Sequence, residues 1–165
     1  MNCGVPEPAE VLREHIEIAL RVRHATSIDV DADTLDLVEQ RLDGQRAALS
    51  TFWAASLGAR EGANFLRYDE GGFYRPHRDR AVIASWPDAA RRRIAVVVFL
   101  NSSREVDGSG TFTGGTLRLF HEVDKNQAID IVPRAGTLIA FRATVLHEVT
   151  VVQNGTRDTV VDWFY

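Results

Sequence analysis

The sequence predicts a mainly β domain, a jelly roll or sandwich, with supporting α-helices at its N-terminal end. Two observations carry this expectation. From Ala63 onward, short apolar runs of strand length recur at fairly even spacing. Gly71-Gly72, Gly114-Gly115, Pro133-Arg134-Ala135-Gly136 and Asn154-Gly155 punctuate them as turns. Before Ala63, the apolar residues instead keep a helical period. Helices and strands therefore segregate along the chain, which argues against an alternating α/β sheet. No internal repeat or low-complexity tract interrupts the pattern.

A chain of 165 residues is most simply one domain, 1–165, with 1–60 as helical support and 61–165 as the β core. A 45% hydrophobic and 25% charged composition is that of a soluble globular protein. The formal net charge of -4 gives no global attraction for nucleic acid, whose binders carry a basic excess. Cys3 has no second cysteine to pair with, which fits a reducing compartment. The start, Met1 to Pro8, lacks the basic and apolar regions of a secretory signal, and no apolar run is long enough for a bilayer. The expectation is a cytoplasmic protein without membrane or nucleic-acid partners.

Taken in order, Pro8 precedes a helical run at 9–23, where Val11, Leu12, Ile16, Ala19 and Leu20 recur on one face. Asp31-Ala-Asp33-Thr34 opens a second run with acidic capping residues, and Gly58 is its plausible stop. Gly44 inside that run costs about 1 kcal/mol relative to Ala and marks a possible break. His15 and His24 belong to these helices and are assigned no chemistry. Strands are expected at 64–68, 73–78, 93–100, 116–120, 128–132, 137–141, 145–152 and 156–164. Two long connections, 80–92 and 102–113, have the character of lids or binding loops. Trp86 and Phe112 in them either close over a substrate or pin the loops to the core.

The last two runs read as a hairpin about Asn154-Gly155. With a two-residue turn, His147 and Arg157 fall on opposite faces of that hairpin. A three-residue loop with Gly155 in the left-handed conformation places His147, Arg157 and Thr159 on one face. The second geometry builds a site and is the one expected.

The sharpest chemical feature is Arg75-Pro-His77-Arg-Asp79. Residues two apart on an extended segment project to one side, so His77 and Asp79 can reach one metal. With the isolated strand histidine His147 they complete two histidines and a carboxylate, the facial triad of non-haem iron oxygenases.

The segment from Asn64 onward resembles the Fe(II)/2-oxoglutarate-dependent dioxygenases, specifically their prolyl 4-hydroxylase-like branch. The matching pieces, in family order, are Phe65-Leu-Arg-Tyr68 leading to His77-Arg-Asp79, Ile94 to Asn101, Phe112-Thr-Gly-Gly-Thr-Leu-Arg-Leu119, Pro133 to Phe141, and His147 to Trp163. The resemblance implies a double-stranded β-helix, the jelly-roll barrel, with iron at one mouth. It implies His77, Asp79 and His147 as iron ligands, Arg157 on the distal carboxylate of 2-oxoglutarate, Thr159 beside that carboxylate, and Tyr68 in contact with the cosubstrate. Fe(II), 2-oxoglutarate and O2 are the implied cofactors, with ascorbate as a further one. The presence of Asp79 favours hydroxylation, because related halogenases carry a small residue there. The implied substrate is a prolyl or other residue in a peptide or protein, or a small amino-acid-like molecule. Arg75, Arg78, Arg80, Arg91, Arg92 and Arg93 form either a basic rim for it or ordinary solvated charge. His121 matches no family position and is expected at the surface. The competing readings are a nucleic-acid demethylase of the same fold and a non-catalytic metal- or partner-binding jelly roll.

Overall fold

The computed structural model describes residues 22–81, 87–124 and 126–165. The expected helix at 9–23, with His15, lies outside them up to residue 21, and so does Trp86. Its far end differs from expectation. Arg23 and His24 form a short strand, β1 (Arg23–His24), followed by β2 (Thr26–Ser27). β1 pairs with one sheet through Arg23↔Tyr74, and β2 with the other through Thr26↔Arg67. Unpaired strand edges on both sides of this segment outweigh its local helical pattern.

Helix α1 (Ala32–Gly44) starts at Asp31, whose carboxylate accepts the Thr34 N–H at 2.8 Å. The helical run does break after Gly44, at Gln45, and α2 (Arg46–Phe52) continues it. Leu42, with Val38, Leu49 and Trp53, packs on Phe65, Ile94, Val96, Val160 and Phe164. Arg60 fastens this layer: it bonds Asp43 at 3.0 Å, Glu39, and Asp162, a carboxylate with no exposed surface. A buried carboxylate needs such partners, and Asp162 also accepts the Gly62 N–H at 2.9 Å.

The strands are β3 (Asn64–Tyr68), β4 (Phe73–His77), β5 (Ile94–Phe99), β6 (Thr113–Gly114), β7 (Leu117–Phe120), β8 (Ala128–Ile131), β9 (Leu138–Arg142), β10 (His147–Val149), β11 (Val152–Asn154) and β12 (Arg157–Phe164). A 3-10 turn at Pro87–Ala90 and helix α3 (Arg104–Asp107) lie in the two long connections. One sheet runs β2-β3-β12-β5-β9 and the other β1-β4-β10-β7-β8, with a small β11-β6 ladder. Two apposed antiparallel sheets in this order form the double-stranded β-helix.

The β2-β3-β12-β5-β9 sheet is covered on both faces, and its residues alternate accordingly. Along β12, Val160 and Phe164 meet the helices, whereas Arg157, Thr159, Val161 and Trp163 face the barrel interior. The uninterrupted apolar run of β5 is the signature of a strand buried on both sides.

The C-terminal hairpin is not formed. The run expected at 145–152 splits: β10 pairs with β4 and β7, and β11 pairs with β6. β12 lies in the opposite sheet, between β3 and β5. Gly155 does take the left-handed conformation (φ 78°), and a Cβ there would lie 2.3 Å from the Thr111 carbonyl oxygen. A turn signal fixes the local bend and leaves the strand partners open. Here Val152 N–H bonds the Gly72 carbonyl instead of a neighbouring hairpin strand. The segment therefore crosses between sheets, and His147 and Arg157 enter the interior from opposite walls.

Candidate active site

His77 ends β4 and His147 begins β10, and the two are directly paired across the antiparallel ladder. Asp79 follows in the bend after β4. His77 Nε2 lies 3.5 Å from Asp79 Oδ1, and His147 Nε2 lies 3.6 Å from Asp79 Oδ2. One donor atom from each residue falls within 4.8 Å of the others, so a single ion can meet all three. Among the described residues this is the one such group of three.

The backbone sets the direction of each ring. His77 Nδ1 lies 2.8 Å from the Arg75 carbonyl oxygen and His147 Nδ1 lies 3.0 Å from that of Val145. A neutral imidazole donating through Nδ1 presents a lone pair at Nε2, the nitrogen facing the cluster. Tyr74 stacks on His77 at 3.5 Å between ring centroids, and Phe141 meets the His147 ring at 4.7 Å edge-on. Both rings are thereby held against rotation.

Charge in the cluster follows from burial. Burial raises the Asp79 pKa, but the His77 hydrogen bond and the nearby His147 charge outweigh it, holding the carboxyl below its usual range. Burial pushes His147 down, against the opposing pull of Asp79. The sign of the stability effect follows: as pH falls through the ordinary imidazole value of 6.5, the unfolded chain takes up this proton first. The metal-free protein is expected to lose stability from there down to the lower folded pKa, and a His147→Gln variant to lose less. Urea midpoints between about pH 8 and pH 5 measure it.

Deeper in the same cavity lies Arg157, 1% exposed, paired in register with Tyr68. Its guanidinium sits 5.0 Å from the Tyr68 ring and 5.4 Å from that of Phe99. Among the described residues, its Nε and Nη1 have no hydrogen-bond partner. An unpaired buried guanidinium is costly, and what satisfies it is an anion with two acceptor oxygens. The cavity is about 160 Å³, room for a small molecule of on the order of ten non-hydrogen atoms. Tyr68 is 2% exposed and lines it. Thr159 lines it too, with Oγ1 donating to the Val98 carbonyl at 2.7 Å. That bond occupies its one proton, so in this arrangement Oγ1 can only accept a further hydrogen bond.

Two residues assigned no part by the sequence reading, Gly115 and Trp163, shape this cavity together with Arg92. Gly115 (φ 61°) leaves room for Arg157: a Cβ would lie 2.9 Å from Arg157 Cδ and 3.1 Å from Val152 Cγ2. Gly115→Ala is expected to destabilise the fold by about 1–3 kcal/mol and to displace the guanidinium, weakening dicarboxylate binding. Thermal unfolding with and without 2-oxoglutarate reads both effects. Trp163 shares the inward face of β12, two residues beyond Val161, so strand alternation already pointed to it. Its ring lies 3.6 Å from the Arg92 guanidinium, which pairs with Glu61 at 2.5 Å and bonds the Asp79 carbonyl at 3.2 Å. This arrangement fixes the backbone beneath Asp79.

The arginines around the metal motif divide. Arg92 is buried, Arg91 pairs with Asp88 at 2.9 Å, and Arg75 lies over the Phe73 ring. Arg78 lines the cavity and bonds the Thr144 carbonyl. Phe112 is fully buried with Leu66, Tyr68, Val149 and Val152, so it pins its loop to the core. His121 is exposed, as expected.

A double-stranded β-helix with a His–Asp–His cluster and an interior guanidinium has the build of a non-haem iron oxygenase. The chain belongs to the 2OG-Fe(II) oxygenase superfamily, whose family model matches residues 63–165. It is similar to a PKHD-type hydroxylase of Picosynechococcus sp., with 32% identity over 99 residues, 60% of this chain and 39% of the relative. The chain thus spans about two fifths of that curated relative's length. Among solved structures it is similar to a prolyl-4-hydroxylase of Pseudomonas putida, at 29% identity and a TM-score of 0.67, covering 94% of this chain and 82% of that one. It also shares the fold of a Trichoplax adhaerens prolyl hydroxylase in complex with a peptide fragment of the hypoxia inducible factor oxygen degradation domain. There the identity is 18% and the TM-score 0.63, over 95% of this chain and 77% of that one. The family implies Fe(II), 2-oxoglutarate and O2 as cofactors. Among the described residues, no helix is long and apolar enough to cross a membrane.

Proposed function

We propose that this chain is an Fe(II)- and 2-oxoglutarate-dependent hydroxylase, with His77, Asp79 and His147 as iron ligands and Arg157 as the anchor for the distal carboxylate of 2-oxoglutarate. The observation that carries this reading is the pairing, inside one cavity, of a three-donor cluster with a buried guanidinium whose Nε and Nη1 have no hydrogen-bond partner among the described residues. The donor set suits the metal: two neutral imidazoles and one ionised carboxylate bind a divalent ion and leave coordination positions open. Bound there, iron with 2-oxoglutarate and dioxygen supplies the chemistry that hydroxylates an unactivated C–H bond, releasing succinate and carbon dioxide.

The chain's own residues orient and insulate. The Arg75 and Val145 carbonyls keep both Nε2 lone pairs turned to the metal position. Asp79 fills the ligand position that halogenases leave to a halide, so the expected outcome is hydroxylation. Arg157 holds one end of the cosubstrate in a dry site, where a charge-assisted fork is worth more than in water. Tyr68 walls this end, and Thr159 flanks it.

In this reading 61–165 is the catalytic barrel and 1–60 its support, in a cytoplasmic enzyme. The substrate class that fits is a prolyl or other amino-acid residue of a peptide or protein, or a small amino-acid-like metabolite. Support comes from the prolyl hydroxylase relatives, one of them solved with a bound peptide. The test incubates the protein with Fe(II), 2-oxoglutarate, ascorbate and pools of amino acids, proline-containing peptides or cell extract. Succinate release together with a product one oxygen atom heavier is expected. No succinate from any pool, with iron bound, overturns the assignment.

A further inference from the structure

We infer that a second cavity, separate from the iron and 2-oxoglutarate cavity, is a binding site for a phosphate group. It is lined by Trp53, Arg80, Arg93, Arg142 and Thr144, with Leu57 and Ile94 at its apolar base, and holds about 170 Å³. The three arginines come from separate parts of the fold. Arg80 follows the bend that carries Asp79, Arg93 precedes β5, and Arg142 ends β9. The backbone draws them together: Arg80 N–H donates to the Ala143 carbonyl, as Ala143 N–H does to that of Arg93, each within 2.9 Å.

All three guanidinium groups are permanently charged, and no Asp or Glu among the described residues pairs with any of them. Arg80 Nε donates to the Ala90 carbonyl at 3.0 Å and Arg93 Nη1 to that of Ser56 at 2.7 Å. These bonds orient the two forks, and no described residue takes up their other N–H groups. The Arg142 guanidinium makes neither an ion pair nor a hydrogen bond among the described residues and lies 5.1 Å over the Trp53 ring. Trp53 also lines the cavity, and its indole N–H is buried with no hydrogen-bond partner among the described residues. Arg80, Arg93 and Arg142 reach the cavity from exposed positions, whereas the arginines with little exposed side chain, Arg60 and Arg92, are paired with carboxylates, Arg157 excepted. Three uncompensated positive charges and an orphaned N–H around one concavity match a dianion with three acceptor oxygens better than a single carboxylate.

The shared chemistry is a phosphate dianion, either free or carried as a monoester on a larger small molecule. The three indole N–H resonances of the 15N-labelled full chain (from Trp53, Trp86 and Trp163) provide the readout. A Trp53→Phe variant identifies the relevant peak. Titration with inorganic phosphate, and separately with methyl phosphate, is expected to shift that peak to saturation at constant ionic strength. Equal affinity for the two points to the free anion, and tighter binding of the monoester to a carried phosphate. Arg142→Gln and Arg93→Gln, both at exposed positions, are each expected to weaken binding roughly tenfold. Arg157→Met is expected to leave it unchanged. A Trp53 peak that does not move, moves equally with chloride, or moves undiminished in the Arg93→Gln/Arg142→Gln double variant overturns the inference.

Discussion

Asp79→Ala is expected to abolish succinate production, with turnover falling by about a thousandfold or more, while the protein remains folded. The size follows from what the carboxylate contributes. It is the one anionic donor facing the metal position, its oxygens 3.5 and 3.6 Å from the two Nε2 atoms. Without it, a divalent ion meets two neutral imidazoles in a half-buried pocket and loses several kcal/mol of charge stabilisation, which converts to at least three orders of magnitude in rate. His77→Ala and His147→Ala remove one neutral donor each and are expected to act in the same direction. Mn(II) binding in anaerobic titrations separates metal loss from other causes. Wild-type metal affinity in Asp79→Ala, or undiminished turnover in His77→Ala, would be incompatible with these three as ligands.

The site was more legible in the sequence than the route by which the chain builds it. His77 and Asp79 stand two apart, and that spacing alone brings both to one side of an extended segment. His147 and Arg157 were expected to share a hairpin face about Gly155. They converge instead from apposed sheets, because backbone partners at Thr116 and Gly72 draw residues 150–152 away from β12. Convergence survived the wrong topology, since inward alternation on either sheet delivers a side chain to the same interior. The strand positions of Arg23 and His24 depend on distant edges at Tyr74 and Phe73, which no local pattern encodes. Gly115 was readable as a turn, but its close approach to the Arg157 side chain is a tertiary fact. The unpaired state of Arg157 was likewise invisible: a strand arginine in a sequence carries no sign of whether a carboxylate awaits it.

That unpaired state leads to the second large effect, which has opposite signs for stability and for function. Arg157→Met is expected to make the cosubstrate-free protein more stable and nearly unable to use 2-oxoglutarate. In the free protein, Nε and Nη1 are buried without partners, and burial pushes the guanidinium below the ordinary arginine pKa. Each unsatisfied donor costs about 1–3 kcal/mol, partly offset by ring contacts with Tyr68 and Phe99 worth roughly 0.5–2 kcal/mol. A thioether chain of similar length removes the first cost and keeps much of the packing, for a net gain of about 1–3 kcal/mol. In a domain of this size that is a rise in melting temperature on the order of 5 °C. With 2-oxoglutarate the ranking reverses. Two charge-assisted bonds at about 1.5–3 kcal/mol each are lost, so KM for 2-oxoglutarate should rise at least about a hundredfold. With Mn(II) present in both samples, saturating 2-oxoglutarate should then raise the melting temperature of the wild type and leave that of the variant nearly unmoved, because only a state that binds the ligand gains from it. A variant less stable than the wild type without ligand, yet still stabilised by 2-oxoglutarate, would show that Arg157 is held by the protein rather than waiting for a carboxylate.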